Sequence, residues 1–403
     1  MLRLAFTGIN LIFGILAARL VGDETFGSYV SVIAIAGLLS VVTAAGLPSL
    51  LQRELSLARG SGNFSMLTPL IQWFVAINFF FAVSAVLVAL FAQEYLVYAF
   101  LFVCVSNIAA AFGAINNGFE RVLLSQWIGS IVRPLGAVLA LVLVYQMFGP
   151  SLSGLLVSQI LGVSLALIFF SIFWIWPNFQ TMKKALRSSW WSAQHAKVLK
   201  GGVLISGTQF LINSKTQIEI FLLTFLASPV DVAYYYAASR AALVVAFFST
   251  STFLMAEPRL TRLMSAKEDA SLLKEVRSTR QIAFFGTLVA ASFAALLTPY
   301  YLGLYGEGFA SANTVMYLLI FSIVLRSMFG PALPILRASR QDYPALKVSV
   351  ITLLLFTPLS IILIMQYGIV GAAMGSLVYS TINEFWLARA AKQTTGISTR
   401  MFS

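Results

Sequence analysis

Long apolar runs alternate with short polar gaps from one end of this chain to the other. Twelve runs can be drawn, at residues 4–21, 28–51, 69–92, 96–117, 122–145, 151–176, 202–227, 232–256, 281–300, 313–335, 348–366 and 370–388. Each holds roughly 18 to 26 residues, enough as a helix to cross a hydrocarbon core of about 30 Å. The pattern predicts an all-α integral membrane protein with twelve transmembrane helices. Composition agrees: 59% of residues are hydrophobic and 10% charged, against about 25% charged in a soluble domain.

The basic residues orient these helices. Twenty-one of the twenty-six Lys and Arg residues fall in alternate gaps, which also hold the termini. The intervening gaps hold none, only Asp23, Glu24, Glu94, Asp231 and Glu307. Lys and Arg accumulate on the cytoplasmic side of membrane proteins, so both termini are expected in the cytoplasm. The net charge of +12 then describes the inner rim and gives no reason to expect a nucleic-acid partner. Membrane lipids are the expected partner instead, each basic residue near anionic headgroups contributing about 1 kcal/mol. The first run lacks an A-x-A-like cleavage site and reads as a helix, not a removed signal. Cys104 lies mid-run as the single cysteine, a small packing residue with no disulfide partner in the chain.

The longest polar stretch divides the chain into an N-terminal six-helix lobe at 1–176, a basic cytoplasmic linker at 177–201 and a C-terminal six-helix lobe at 202–403. Six helices per lobe bring the chain back to its starting side, so a repeat between lobes must be parallel. At an offset of 206, Gly22-Asp23-Glu24-Thr25-Phe26-Gly27-Ser28-Tyr29 falls on Ser228-Pro229-Val230-Asp231-Val232-Ala233-Tyr234-Tyr235, and Arg53 falls on Arg259. Two lobes related by such a pseudo-repeat would enclose a central cavity with a site near the bilayer midplane. The linker carries Trp190 and Trp191 among Lys and Ser, which predicts a short amphipathic helix on the inner leaflet.

Five basic residues lie inside the runs: Arg19, Arg133, Lys215, Arg240 and Arg326. A charge at mid-bilayer costs roughly 2.5–3.5 kcal/mol on insertion scales, so such residues face a bundle interior or a wet cavity. Arg19 has Asp23 four residues on, which fits a local pair at the helix end as well as a substrate contact. Arg133 and Arg326 have no acidic neighbour in their own runs and are candidates to hold an anionic substrate, the alternative being a structural clamp on carbonyls or a distant carboxylate; Arg240 is a further candidate. In the seventh run Ser206, Gln209, Asn213 and Thr216 form one polar stripe and Thr208, Lys215 and Glu219 a second, so Lys215 and Asn213 join the candidates. Glu219 either neutralises Lys215 at i+4 or serves a coupling cation, Na+ or H+. Pro134 beside Arg133, and Pro331 and Pro334 after Arg326, predict kinks.

No cofactor is expected. His195 is the single histidine, so no His/Cys cluster can hold a catalytic metal. Gly60-Ser61-Gly62 is not followed by Gly-Lys-Ser/Thr, so no nucleotide-binding loop is present. The composition points to a transporter driven by an ion or substrate gradient, and not to an enzyme.

Ile15-Leu16-Ala17-Ala18-Arg19-Leu20-Val21-Gly22 followed by Phe26-Gly27-Ser28-Tyr29 resembles the opening of the polysaccharide-transport flippases of the MOP exporter superfamily. Gln52-Arg53-Glu54, Arg133-Pro134, Tyr236-Ala237-Ala238-Ser239-Arg240, Pro258-Arg259-Leu260 and Gly330-Pro331 extend the resemblance in order along most of the chain. It implies a flippase of the bacterial inner membrane that moves an anionic polyprenyl-pyrophosphate-linked oligosaccharide, an O-antigen or capsule unit, to the outer leaflet by alternating access. A polysaccharide polymerase or assembly protein would be its partner. Glu219 departs from the Asp expected near this point of the family's seventh helix. Two other readings compete. A multidrug or cation antiporter of the same superfamily would favour carboxylates over buried basic groups. A membrane polymerase or ligase would carry a large charged outer loop, whereas the longest here, 301–312, has one charge.

Overall fold

The computed structural model describes residues 2–44, 47–61, 67–91, 94–175, 215–266, 268–339 and 341–399, and every regular element among them is a helix. The chain divides into two compact units, Met1–Ile218 and Glu219–Ser403. Seven helices among the described residues are long and apolar enough to cross a membrane. With large apolar side chains such as Phe79, Phe80, Leu296 and Met365 left on the helix surfaces, this is a multi-pass membrane protein. The basic linker and the first half of the seventh run, Asn213 included, lie outside the described residues.

The first unit contains α1 (Leu2–Val21), α2 (Asp23–Ala44), α3 (Leu47–Ser61), α4 (Leu67–Phe91), α5 (Glu94–Gly118), α6 (Val122–Phe148) and α7 (Leu152–Phe170). Gly22, at φ 81°, turns α1 into α2, with Arg19 in the last turn of one helix and Asp23 and Glu24 in the first turn of the next. Those signs complement the two helix dipoles. The run predicted at 28–51 is not one helix: α2 ends at Ala44 and α3 begins at Leu47. Pro48, which lacks a donor, suits the first turn of a new helix. Leu47, Leu50, Leu51 and Leu55 then bury one face of α3 against Leu70 and Ala111, while Arg53 stays exposed beside Glu54. Gly162 of α7 lies so close to Ala137 of α6 that a Cβ would come 2.6 Å from the Ala137 nitrogen. Small residues at this crossing let the two backbones meet.

The second unit contains α8 (Lys215–Leu226, described here from its first residue although the unit begins at Glu219), α9 (Pro229–Ala266), α10 (Asp269–Tyr305), α11 (Asn313–Ser327), α12 (Ala332–Ala338) and α13 (Asp342–Thr395). Ser228 and Asp231 cap α9 reciprocally: the Asp231 amide donates to Ser228 Oγ at 3.2 Å and the Ser228 amide to the Asp231 carboxylate at 3.3 Å. The polar gap 257–280 is largely helical: α9 continues through it to Ala266 and α10 begins at Asp269. Leu260, Leu263, Leu272 and Val276 recur at helical spacing and share a core with Ile335, Leu336, Leu387 and Ile397. The predicted break after Arg326 is present, with Gly330 at φ 70° and α12 starting at Ala332 behind Pro331. Gly368, at φ 56° and ψ −134°, divides α13 into two arms. The arms pack antiparallel, Phe356 against Tyr379 at 4.8 Å between ring centroids and Ser360 against Gly375.

Candidate functional site

In the first unit, the candidate chemistry centres on Arg133. The backbone leading to it, Ile128–Val132, is one turn of π-helix, after which Arg133–Phe148 is α-helical. Pro134 explains the irregularity: it offers no N–H to the preceding turn and its ring crowds that turn's carbonyl. Arg133 is half-buried, with its guanidinium carbon 5.9 Å from the centroid of the Phe102 ring and the buried Tyr29 within electrostatic reach. Tyr29 in turn packs against Phe13 and Phe26. Among the described residues, no hydrogen bond and no carboxylate reaches the Arg133 side chain. Arg19 ends α1 in an exposed position, and neither it nor Asp23 is without a partner.

The second unit places Arg240 among tyrosines. Its guanidinium carbon sits 4.4 Å from the Tyr236 ring centroid, while its Nε is buried with no acceptor among the described residues. Tyr301 donates its hydroxyl proton to the Ala237 carbonyl, one turn before Arg240, at 3.0 Å, and its oxygen lies 3.2 Å from the Tyr305 hydroxyl. A guanidinium stacked on an aromatic face keeps its in-plane donors for a carboxylate or phosphate. Among the described residues no carboxylate pairs with Arg240.

Arg326 differs from both. Its Nε lies 4.0 Å from Glu384 Oε1 and its Nη2 3.5 Å from Thr250 Oγ1. Unlike Arg133, Arg326 meets a carboxylate that α13 supplies from far along the chain. Both distances exceed a strong hydrogen bond, so the guanidinium is neutralised but loosely held.

Glu219 is 3% exposed and accepts the Tyr235 hydroxyl proton on Oε2 at 2.8 Å. Ser376 of the second α13 arm also hydrogen-bonds the fully buried Tyr235. The sequence reading offered Lys215 as the partner of Glu219; that side chain lies outside the described residues, and Tyr235 was not anticipated. The run Tyr234-Tyr235-Tyr236 was its available signal: at helical spacing, one of three adjacent hydroxyls must point inward.

The sequence pattern of the polysaccharide biosynthesis protein family matches residues 1–264. The chain belongs to that family. Its fold is shared with solved transporters at low sequence identity. An inward-facing multidrug resistance transporter of the MATE family, in the MOP superfamily, is similar with a TM-score of 0.77 and 14% identity over 97% of this chain and 96% of that one. The lipid II flippase MurJ in an inward closed conformation gives 0.72 and 14%, over 96% and 86%. A MOP superfamily transporter from Pyrococcus furiosus, described as having a binding pocket of reversed polarity, gives 0.62 and 14%, over 96% and 92%. No curated protein matches the chain. For this member of the polysaccharide biosynthesis family, Arg133 and Arg240, one in each unit, lie over aromatic rings with no carboxylate partner among the described residues.

Proposed function

We propose that the protein is a flippase that carries an anionic polyprenyl-pyrophosphate-linked oligosaccharide across the bacterial inner membrane by alternating access. One observation carries this reading: Arg133 sits within an apolar helix with no carboxylate among the described residues. An intramembrane charge of this kind costs roughly 2.5–3.5 kcal/mol, and an anion that arrives and leaves is a reason to keep it. Arg240, on Tyr236, supplies a second such donor. A pyrophosphate accepts charge-assisted, bidentate hydrogen bonds that guanidinium geometry suits, and the attached sugars suit neighbouring tyrosine faces. Family membership in polysaccharide biosynthesis supports the glycan, and the likeness to MurJ, the lipid II flippase, supports a lipid-linked one.

The same proposal includes twelve spans in two six-helix lobes, both termini in the cytoplasm, a transporter and not an enzyme, a coupling cation at Glu219, and a polymerase or assembly protein as partner. The fold is equally that of MATE drug transporters. Against a cationic substrate stand the two intramembrane carboxylates: Glu219 accepts from Tyr235 and Glu384 faces Arg326. Neither is left over for a cation the size of a drug.

The test is leaflet-specific. In cells lacking the protein, lipid-linked glycan should accumulate in the cytoplasmic leaflet, as read by a membrane-impermeant sugar-oxidising label. The native chain should clear it, and the Arg133→Gln, Arg240→Gln double variant should be inserted yet leave it in place. Full clearance by that double variant would remove the anion-binding proposal.

A further inference from the structure

The second α13 arm carries Ser376, Tyr379, Ser380, Asn383 and Glu384 at helical spacing along one stripe, over about 12 Å at 1.5 Å per residue. Ser376, Tyr379 and Ser380 are buried, and the Asn383 side-chain oxygen is buried with no hydrogen-bond partner among the described residues. At one end the stripe meets Glu219, through Ser376 and the Tyr235 hydroxyl. At the other end Glu384 is partly exposed and faces Arg326. Tyr379 lies between them, within electrostatic reach of Glu219, Glu384 and Arg326 alike. Beside Gly375, the residue before Ser376, Ser360 is 1% exposed and its hydroxyl has no partner among the described residues; a Cβ on Gly375 would come 2.7 Å from it.

We propose that this stripe is a proton path, with Glu384 as its solvent-side entry, Tyr379 and Ser376 as its intermediate hydroxyls and Glu219 as its buried terminus. Hydroxyls both donate and accept, so each can take a proton on one side as it releases one on the other. The net step is balanced: a proton leaves hydronium for the Glu384 carboxylate, and one proton arrives on Glu219. Two carboxylates at opposite ends of a stripe cannot close on one sodium ion, which takes several oxygens at once. Arg326, at 4.0 Å from Glu384 and weakly tied to Thr250, controls entry, since its approach favours the ionised carboxylate. Among the described residues, the groups facing Glu219 are Tyr235 from α9, itself bonded to Ser376, and Tyr379 from α13; those facing Glu384 are Arg326 and Tyr379. The inference deepens the transporter reading by naming the proton as the coupling ion.

The experiment uses the full chain in liposomes without glycan, with carboxyl protonation followed by time-resolved infrared difference spectroscopy after an acid jump. Glu219→Gln and Glu384→Gln assign the two bands. Tyr379→Phe keeps the ring against Phe356 and deletes the hydroxyl. It and Glu384→Gln should each slow the Glu219 band roughly tenfold or more, with its final amplitude unchanged. Unchanged rates in both variants overturn the path. A Glu219 band that responds to sodium at constant pH, and not to acid, also overturns it and assigns the site to that ion. Since no glycan is present, the outcome is independent of the leaflet assay that judges the flippase reading.

Discussion

Tyr235 donates its hydroxyl proton to Glu219 at 2.8 Å, joining α9 to α8 inside the second unit. The bond satisfies one oxygen of a carboxylate that is nearly shut off from solvent. Removing it leaves that oxygen without its donor, at a cost of about 1–3 kcal/mol. Tyr235→Phe should therefore lower the amount of folded protein recovered in detergent, and Glu219→Leu should lower it further. Glu219→Gln keeps an acceptor for the hydroxyl and should fold nearly normally while losing ion-driven transport. A Glu219→Gln protein that fails to accumulate, and is restored by Lys215→Met, would identify the Lys215 pair as the main structural contact instead.

The arginines should not respond alike. Arg326 has Glu384 to neutralise it, and Arg133 has no carboxylate among the described residues. Arg133→Gln should abolish glycan export at normal abundance, with Arg133→Lys recovering part of it, because an ammonium lacks the bidentate fork. Arg326→Gln combined with Glu384→Gln should retain measurable export. Export assays that rank the two positions in the reverse order would contradict this assignment.

Packing at the α6–α7 crossing sets a third expectation. Gly162 has no space for a methyl group against Ala137, so Gly162→Ala should cost about 1–3 kcal/mol through overpacking. Gly303, where nothing lies within 4 Å of an added Cβ, is the control. Thermal unfolding of purified Gly162→Ala and Gly303→Ala should separate them clearly.

Topology is checked by thiol labelling in a Cys104→Ala background. Cysteines at Glu94, Asp231 or Glu307 should react with an impermeant reagent added outside intact cells, and those at Lys184 or Lys267 should not. Labelling at Lys267 from outside would defeat the twelve-span arrangement.

The membrane class was legible because hydropathy accumulates over some twenty consecutive residues, and the break at Gly330-Pro331 because proline and glycine act locally. The end of α2 was hidden, since Leu47, Leu50 and Leu51 extend the apolar run although they belong to a different helix. The helical segments that fill most of 257–280, up to Ala266 and from Asp269, were hidden by their surface charges. Arg133 stood out as a charge in an apolar run. The Glu219–Tyr235 and Arg326–Glu384 contacts could not be read, because each joins separate helices and no local spacing encodes which faces meet. Asn213 and the Lys215 side chain, singled out on the polar stripes, lie outside the described residues.

The π-helical turn at Ile128–Val132 bears on how this chain is compared with its relatives. Such a turn holds one residue more than an α-helix of similar rise, and one residue corresponds to about 100° of rotation. Where a relative's fifth span is uniformly α-helical, an ungapped alignment that matches the residues before Ile128 shifts every later position by one. Arg133 would then be set against a side chain on another face of the helix. A single-residue gap within Ile128–Val132 restores the correspondence, and a basic residue that seems displaced by one place in another member is then the counterpart of Arg133.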